Sequence, residues 1–211
     1  MKLFEDRISS AVARVRIVLA LKGIEVESGP IAILGEEARH QSADYLAINP
    51  QGLVPALLTD DGVLITQSLA IIEYLDERFP EPALLPADPA ERALARSIAL
   101  VVASDIHPLL PPRVAQRLGA IPGTDPTTVA AWNRHWIEEG LSAVETLLSR
   151  QQPGPFAVGS APSIADIVLF PQLVGAERVG LSFEPWPRIA TVFPTLRGIP
   201  AFAANAPLPR S

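Results

Sequence analysis

The sequence predicts an α/β domain over residues 1–80, a short connector at 81–88 and an all-helical domain over 89–211. Three observations predict this. Short β-like and helical segments alternate through the first part, prolines then crowd at Pro80, Pro82 and Pro86, and the later apolar patterns have helical spacing.

Lys2-Leu3-Phe4 opens a short strand, and residues 10–22 place Val12, Val15, Val18 and Leu19 at helical spacing, with Gly23 where a helix would end. A second strand is expected at 26–33 and a weaker helix at 36–46. Two short strands at 54–58 and 63–66 flank Asp60-Asp61-Gly62, a hairpin signal. The helix at 68–79 carries Leu69, Ile72, Leu75 and Phe79 on one face and stops at Pro80. The order β-α-β-α-β-β-α implies a small mixed sheet. Beyond the connector, helices are expected at 90–106, at 127–150 around Trp132, Trp136, Leu141, Val144 and Leu148, and at 163–178. The last opens with Ser163-Ile164-Ala165-Asp166, a capping box with Asp in the place Glu usually takes. Asp166 is therefore read as a residue that nucleates and orients its helix, not as a catalytic acid.

Composition narrows the function. Apolar residues make up 48% of the chain and mean hydropathy is +0.26, enough for a real core. The net charge of −6 argues against nucleic acid and anionic membranes as partners. The chain has no cysteine, which excludes disulfides, thiolate metal centres and a cysteine nucleophile. Met1-Lys2-Leu3-Phe4 runs directly into Glu5-Asp6-Arg7 without an apolar signal region, and no apolar run approaches the roughly 20 residues of a membrane helix. A soluble, cytoplasmic protein is the expectation.

Two places suggest chemistry. Ser9 and Ser10 stand where the first strand gives way to a helix; spacing alone makes them helix caps. Gln67 and Ser68 open another helix, where free backbone N–H groups suit an anion, and capping does not call for Gln67.

Longer stretches carry a resemblance. Ser9-Ser10 leads into Arg14-Val15-Arg16-Ile17 and Leu19-Ala20-Leu21-Lys22-Gly23-Ile24. Asn49-Pro50, Val54-Pro55 and Gln67-Ser68-Leu69-Ala70-Ile71-Ile72-Glu73-Tyr74-Leu75 come next, then Leu84-Leu85-Pro86, Asp105-Ile106-His107-Pro108 and Ala165-Asp166. Together they resemble the zeta class of glutathione transferases over nearly the whole chain. The resemblance implies a thioredoxin-like first domain that binds glutathione and a helical second domain that receives a small electrophile. It implies that Ser9, with Ser10, holds the glutathione sulfur as a thiolate, and that Val54 precedes a cis proline and pairs through its backbone with the cysteinyl part. Gln67 and Ser68 would take the γ-glutamyl carboxylate, and His40 would lie near the glycyl end. His107, Arg113 and Arg178 would serve the second substrate.

The class contains maleylacetoacetate and maleylpyruvate isomerases, enzymes of aromatic catabolism, so a glutathione-dependent cis–trans isomerase without a metal is the implied activity, in a homodimer. Conjugation of glutathione to an apolar electrophile is the alternative, and a non-catalytic binding domain is a third. Two departures bear on the choice. Relatives usually read Ser-Ser-Cys where this chain has Ala11, and they often carry Arg directly before the first serine, where this chain has Ile8 with Arg7 one residue earlier.

Overall fold

The computed structural model describes residues 1–209. The chain runs β1 (Lys2–Glu5), α1 (Ser10–Lys22), β2 (Glu27–Pro30), α2 (Ala43–Ile48), β3 (Ala56–Leu58), β4 (Leu64–Thr66) and α3 (Ser68–Arg78). It continues through α4 (Pro89–Leu100), a π-helical turn (Val101–Ile106), a 3-10 turn (His107–Leu109), α5 (Pro112–Gly119), α6 (Pro126–Ser149), α7 (Ile164–Arg178), α8 (Pro187–Arg197) and α9 (Pro200–Ala203). Two compact units result. Among the described residues one comprises Met1–Ala83 with residues 200–209, and the other comprises Leu84–Ile199.

That division differs from the sequence-based one at the C-terminus, because α9 packs on α1. The Leu208 N–H donates to the Arg7 carbonyl at 2.8 Å, and the Arg7 guanidinium donates to the Ala204 carbonyl at 2.9 Å. Such pairings link residues about 200 positions apart in sequence, which no local pattern announces.

In the first unit the sheet order is β2-β1-β3-β4. β1 is parallel to β2 and antiparallel to β3, and β3 is antiparallel to β4, with Leu3 opposite Leu57 and Leu57 opposite Ile65. α1 matches its expected span. Val12, Val15, Ile17 and Val18 are fully buried, and Gly23 takes the left-handed conformation (φ 64°) that closes the helix. The buried Lys22 ammonium then ties this end to the end of α3, donating to Asp76 at 2.8 Å, the Phe79 carbonyl at 2.6 Å and the Pro82 carbonyl at 2.8 Å. Glu5 is likewise buried and paired, with Arg16 and with the Ser28 hydroxyl. Burial pushes its carboxyl up, but those two partners outweigh burial and hold it below its ordinary value.

The helix expected at 36–46 is confined to Ala43–Ile48. The Arg39 N–H bonds back to the Ala32 carbonyl at 2.8 Å and the Ile33 N–H to the Asp6 carboxylate at 3.0 Å. These long-range bonds hold residues 33–41 as a loop despite helix-favouring Glu36-Glu37-Ala38, and Ser42 supplies the actual N-cap, 3.3 Å from the Tyr45 N–H.

In the second unit the helix expected at 90–106 begins as α-helix but widens into the π-helical turn over its last six residues. Ile106 fills the space opposite Gly140 of α6, where an added Cβ would come within 2.2 Å of its side chain. By length and composition the stretch Pro89–Gly119 could cross a membrane, with a window of mean hydropathy 1.4, contrary to the expectation that no such run exists. The longer of its two α-helical parts has only 12 residues, about 18 Å against a hydrocarbon core of about 30 Å. Pro108, Pro111 and Pro112 interrupt the rest of the stretch, and Ala95, Ile98, Ala99, Val102 and Ile106 are buried.

α7 begins with the expected capping box. The fully buried Asp166 accepts from the Ser163 N–H at 2.9 Å and the Ser163 hydroxyl at 3.0 Å through Oδ2, and from the Ala157 N–H at 2.8 Å through Oδ1. Glu145 of α6 does a similar service for α8, accepting from the N–H groups of Arg188 (2.9 Å) and Ile189 (3.0 Å). Burial pushes the Asp166 carboxyl up to about 6, against the downward pull of its three donors.

Replacing Asp166 by Ala leaves buried donors without an acceptor, and a loss of about 2–4 kcal/mol is expected in denaturant unfolding. The folded state holds the Asp166 proton more tightly than the unfolded chain does. Its contribution to stability therefore falls as pH rises from about 4 to about 6 and is level above that. Asp166→Ala should flatten that part of the stability–pH curve; an unchanged midpoint would contradict the capping role.

Candidate active site

The turn between β1 and α1 is shaped by Asp6. Its Oδ1 accepts from the Ile8 N–H at 3.1 Å, its Oδ2 from the Ile33 N–H at 3.0 Å, and its carbonyl from the Ser9 N–H at 3.0 Å. This leaves Ser9 as the N-cap of α1 in extended backbone (φ −79°, ψ 123°). Its Oγ accepts from the Val12 N–H at 3.4 Å, so the cap seen in the spacing is present. A hydroxyl that accepts in this way still has its own proton to donate, so capping and ligand binding are compatible here. Ser10 is the first residue of the helix, and no acidic side chain in the first turn neutralises the positive helix end. Arg7 is engaged by Ala204.

The loop before β3 is held by Asn49, which is 1% exposed. Its amide donates to the Leu53 carbonyl at 2.7 Å and its Oδ1 accepts from the Gln51 N–H at 3.1 Å. The Tyr45 hydroxyl donates to the same Leu53 carbonyl at 2.7 Å. Burial pushes that phenol up to about 12, so it remains a donor at any ordinary pH. The next peptide bond, Val54–Pro55, is cis. The Val54 side chain is buried against Val12 and Tyr45, which leaves its backbone as the part able to meet a ligand.

Gln67 caps α3 with φ 71°, the one non-glycine residue with positive φ among those described. A side chain in that region is strained, and such strain gathers where function requires it. Its amide donates to the Gln51 side chain at 2.7 Å, and no side chain caps the helix. The first-turn N–H groups of α3 are thus open to an anion. Beneath them Ser68, 5% exposed, accepts from Nη1 of Arg14 at 3.3 Å. Arg14 is itself buried. Burial lowers its guanidinium to about 10, well above neutrality, so it is charged at pH 7.

His40 lies in the loop before α2, partly buried, with Nδ1 enclosed and without a hydrogen-bond partner. In the helical unit His107 opens the 3-10 turn after the π-helical segment, and its carbonyl accepts from the Leu110 N–H at 3.2 Å. Arg113 lies in the first turn of α5 and Arg178 in the last turn of α7, both exposed. Ser9, Ser10, His40, Val54, Gln67 and Ser68 thus fall in the first unit, and His107, Arg113 and Arg178 in the second. Reasoning from residues did not single out Asp6, Asn49 or Arg14. For Asp6 a signal existed, since aspartate just after a strand commonly builds a turn with its own backbone.

Comparison with known proteins agrees with this geometry. Residues 8–78 match the glutathione S-transferase N-terminal domain and residues 130–198 the glutathione S-transferase C-terminal domain. The chain is 45% identical over 207 residues to maleylacetoacetate isomerase of Pseudomonas aeruginosa, covering 98% of this chain and 96% of that protein. Among solved structures, a holo maleylpyruvate isomerase described as a bacterial zeta-class glutathione S-transferase superposes with a TM-score of 0.92 at 38% identity, over 98% of this chain and 97% of that one. A maleylacetoacetate isomerase of Methylobacterium extorquens AM1, with malonate and glutathione bound, superposes with a TM-score of 0.93 at 38% identity, over 100% and 98%. With a four-stranded mixed sheet carrying the Ser9, Val54–Pro55 and Gln67–Ser68 positions, followed by a helical unit, the chain belongs to the zeta class of the glutathione transferases, the family of the maleylacetoacetate and maleylpyruvate isomerases.

Proposed function

We infer that the protein is a glutathione-dependent cis–trans isomerase acting on a maleyl keto acid of the maleylacetoacetate or maleylpyruvate kind. The observation that carries the glutathione part of this reading is a pair of unneutralised helix starts in the first unit; similarity to the isomerases carries the reaction. The Ser9 hydroxyl sits at an acid-free helix start, and Ser68 sits at the uncapped start of α3 over a buried arginine. Glutathione fits such a site, with a carboxylate for α3 and a sulfur for Ser9. When bound, it supplies a sulfur nucleophile able to add reversibly to an activated double bond and so free that bond to rotate.

The chain's own residues then divide the work. Ser9 donates its proton to the sulfur while its oxygen stays on the Val12 N–H, and the α1 N-terminus adds positive potential. A free thiol has a pKa of about 8.5, and lowering it by about two units needs only about 2.7 kcal/mol of preference for the thiolate. The Val54 backbone, fixed by Asn49 and Tyr45, pairs with the cysteinyl segment, and His40 serves the glycyl end. Arg113 and Arg178 recognise the substrate carboxylates, a task for which guanidinium geometry is suited, and His107 lines the same substrate site. By family resemblance the enzyme works as a homodimer, which sedimentation analysis would test; a cytoplasmic location is proposed beside it, which cell fractionation would test.

A second reading, conjugation of glutathione to an apolar electrophile, is favoured by one feature: Ile8 precedes Ser9, and Arg7 is occupied by Ala204. Incubation with maleylpyruvate or maleylacetoacetate and glutathione should give the fumaryl product without consuming glutathione. Thioether formation with a model aryl halide and no isomerisation would favour conjugation instead.

Ser9→Ala is expected to lower kcat/KM by about 10²–10³, the usual loss for one donor aimed at developing charge. Its stability should fall by only about 0.5–2 kcal/mol, the value of a cap. Unchanged turnover with lowered stability would reduce Ser9 to a structural cap.

A further inference from the structure

We propose that Arg14 is the positioning residue for the γ-glutamyl carboxylate of glutathione, acting from beneath Ser68 as a buried cation whose counter-ion is the ligand itself. The proposal rests on the glutathione reading above and adds a residue to it.

Arg14 is 2% exposed, and of its nitrogens only Nη1 has a partner, the Ser68 hydroxyl oxygen. Nε and Nη2 are both enclosed without a hydrogen-bond partner, and among the described residues no carboxylate pairs with the group. Burying a charge in this way is costly unless something balances it. The same unit elsewhere obeys that rule, since Lys22 is matched by Asp76 and Glu5 by Arg16. Arg14 is the exception, and it lies under the uncapped start of an 11-residue helix. It stands four residues after Ser10 in α1, so the two share a helix face.

The hydrogen bond has a direction. Arg14 can only donate, so Ser68 accepts from it and keeps its own proton for a second acceptor. A carboxylate placed at the first turn of α3 would receive that proton and backbone N–H groups, and would feel the guanidinium through poorly screening surroundings. Arg14 thus sets the sense of the Ser68 hydroxyl and supplies charge without touching the ligand.

Titration calorimetry with glutathione and with 4-aminobutyryl-cysteinyl-glycine, which lacks only the γ-glutamyl α-carboxylate, tests this in the full chain. The unchanged protein should prefer glutathione by at least about 30-fold, as expected when one partner of a buried charge pair is removed. Arg14→Met should weaken glutathione binding by a similar factor while leaving the analogue's affinity nearly unchanged, so that the preference collapses. Its ligand-free Tm should hold or rise, because an unbalanced buried charge is gone. KM for glutathione should rise while kcat at saturation stays within about twofold. Arg14→Gln, neutral but able to donate to Ser68, should lose the preference too, and carries the same comparison if the Met variant does not fold. Retained preference in these variants, or equal weakening of both ligands with a lowered Tm, would overturn the proposal. If the unchanged protein binds neither ligand, the glutathione reading itself falls.

Discussion

The first unit is organised around positive charge that the chain does not neutralise. Arg14 is buried without a carboxylate, α3 begins with no side-chain cap, and α1 begins with no acidic residue in its first turn. Each is individually tolerable. Together, in a small domain whose other buried ions are paired, they leave a standing demand for an anion. In the function proposed above, glutathione would meet it with its carboxylate and, once activated, its sulfur. The cost of holding the site ready is carried by the folded protein, and binding recovers it.

The irregular parts of the backbone are placed where that demand has to be shaped. Asp6 folds the β1–α1 turn and delivers Ser9 to its helix start, while Asn49 and Tyr45 converge on the Leu53 carbonyl just before Val54–Pro55. Gln67 takes the strained conformation that begins α3. None of these residues is required by the sheet itself, whose register rests on ordinary pairs such as Leu3 with Leu57. In the helical unit the comparable devices, Asp166 and Glu145, serve the starts of α7 and α8 and leave no donor waiting.

Legibility in the sequence tracked the range of the interactions. α1, α3 and the Asp166 box were readable because their determinants lie within a few residues: Gly23 for a left-handed close, Pro80 for a stop, Ser163 three residues before Asp166. The loop at 33–41 was not, since its helix-favouring composition is overridden by bonds from Ile33 to Asp6 and from Arg39 to Ala32. The return of residues beyond Pro200 to the first unit had no local signature either. Of the site, Ser9, Gln67 and Ser68 were visible, though spacing alone made Ser9 a cap and the family resemblance was needed to suggest more. Arg14 was legible only as part of the motif that carries the resemblance, because nothing local says whether an arginine beside Val12 and Val15 is solvated or buried. Only the structure shows that it is buried.

The central claim is that this arrangement makes a thiolate from a bound thiol at neutral pH, and proton release reports that directly. Glutathione should be titrated into the protein by calorimetry at pH 7 in buffers of different ionisation enthalpy. With a thiol pKa lowered by about two units from about 8.5, roughly three quarters of a proton should leave per ligand bound. Ser9→Ala should bind the tripeptide but release much less. Tight binding by the unchanged protein with no proton released would contradict the account, leaving a glutathione site that does not activate its ligand.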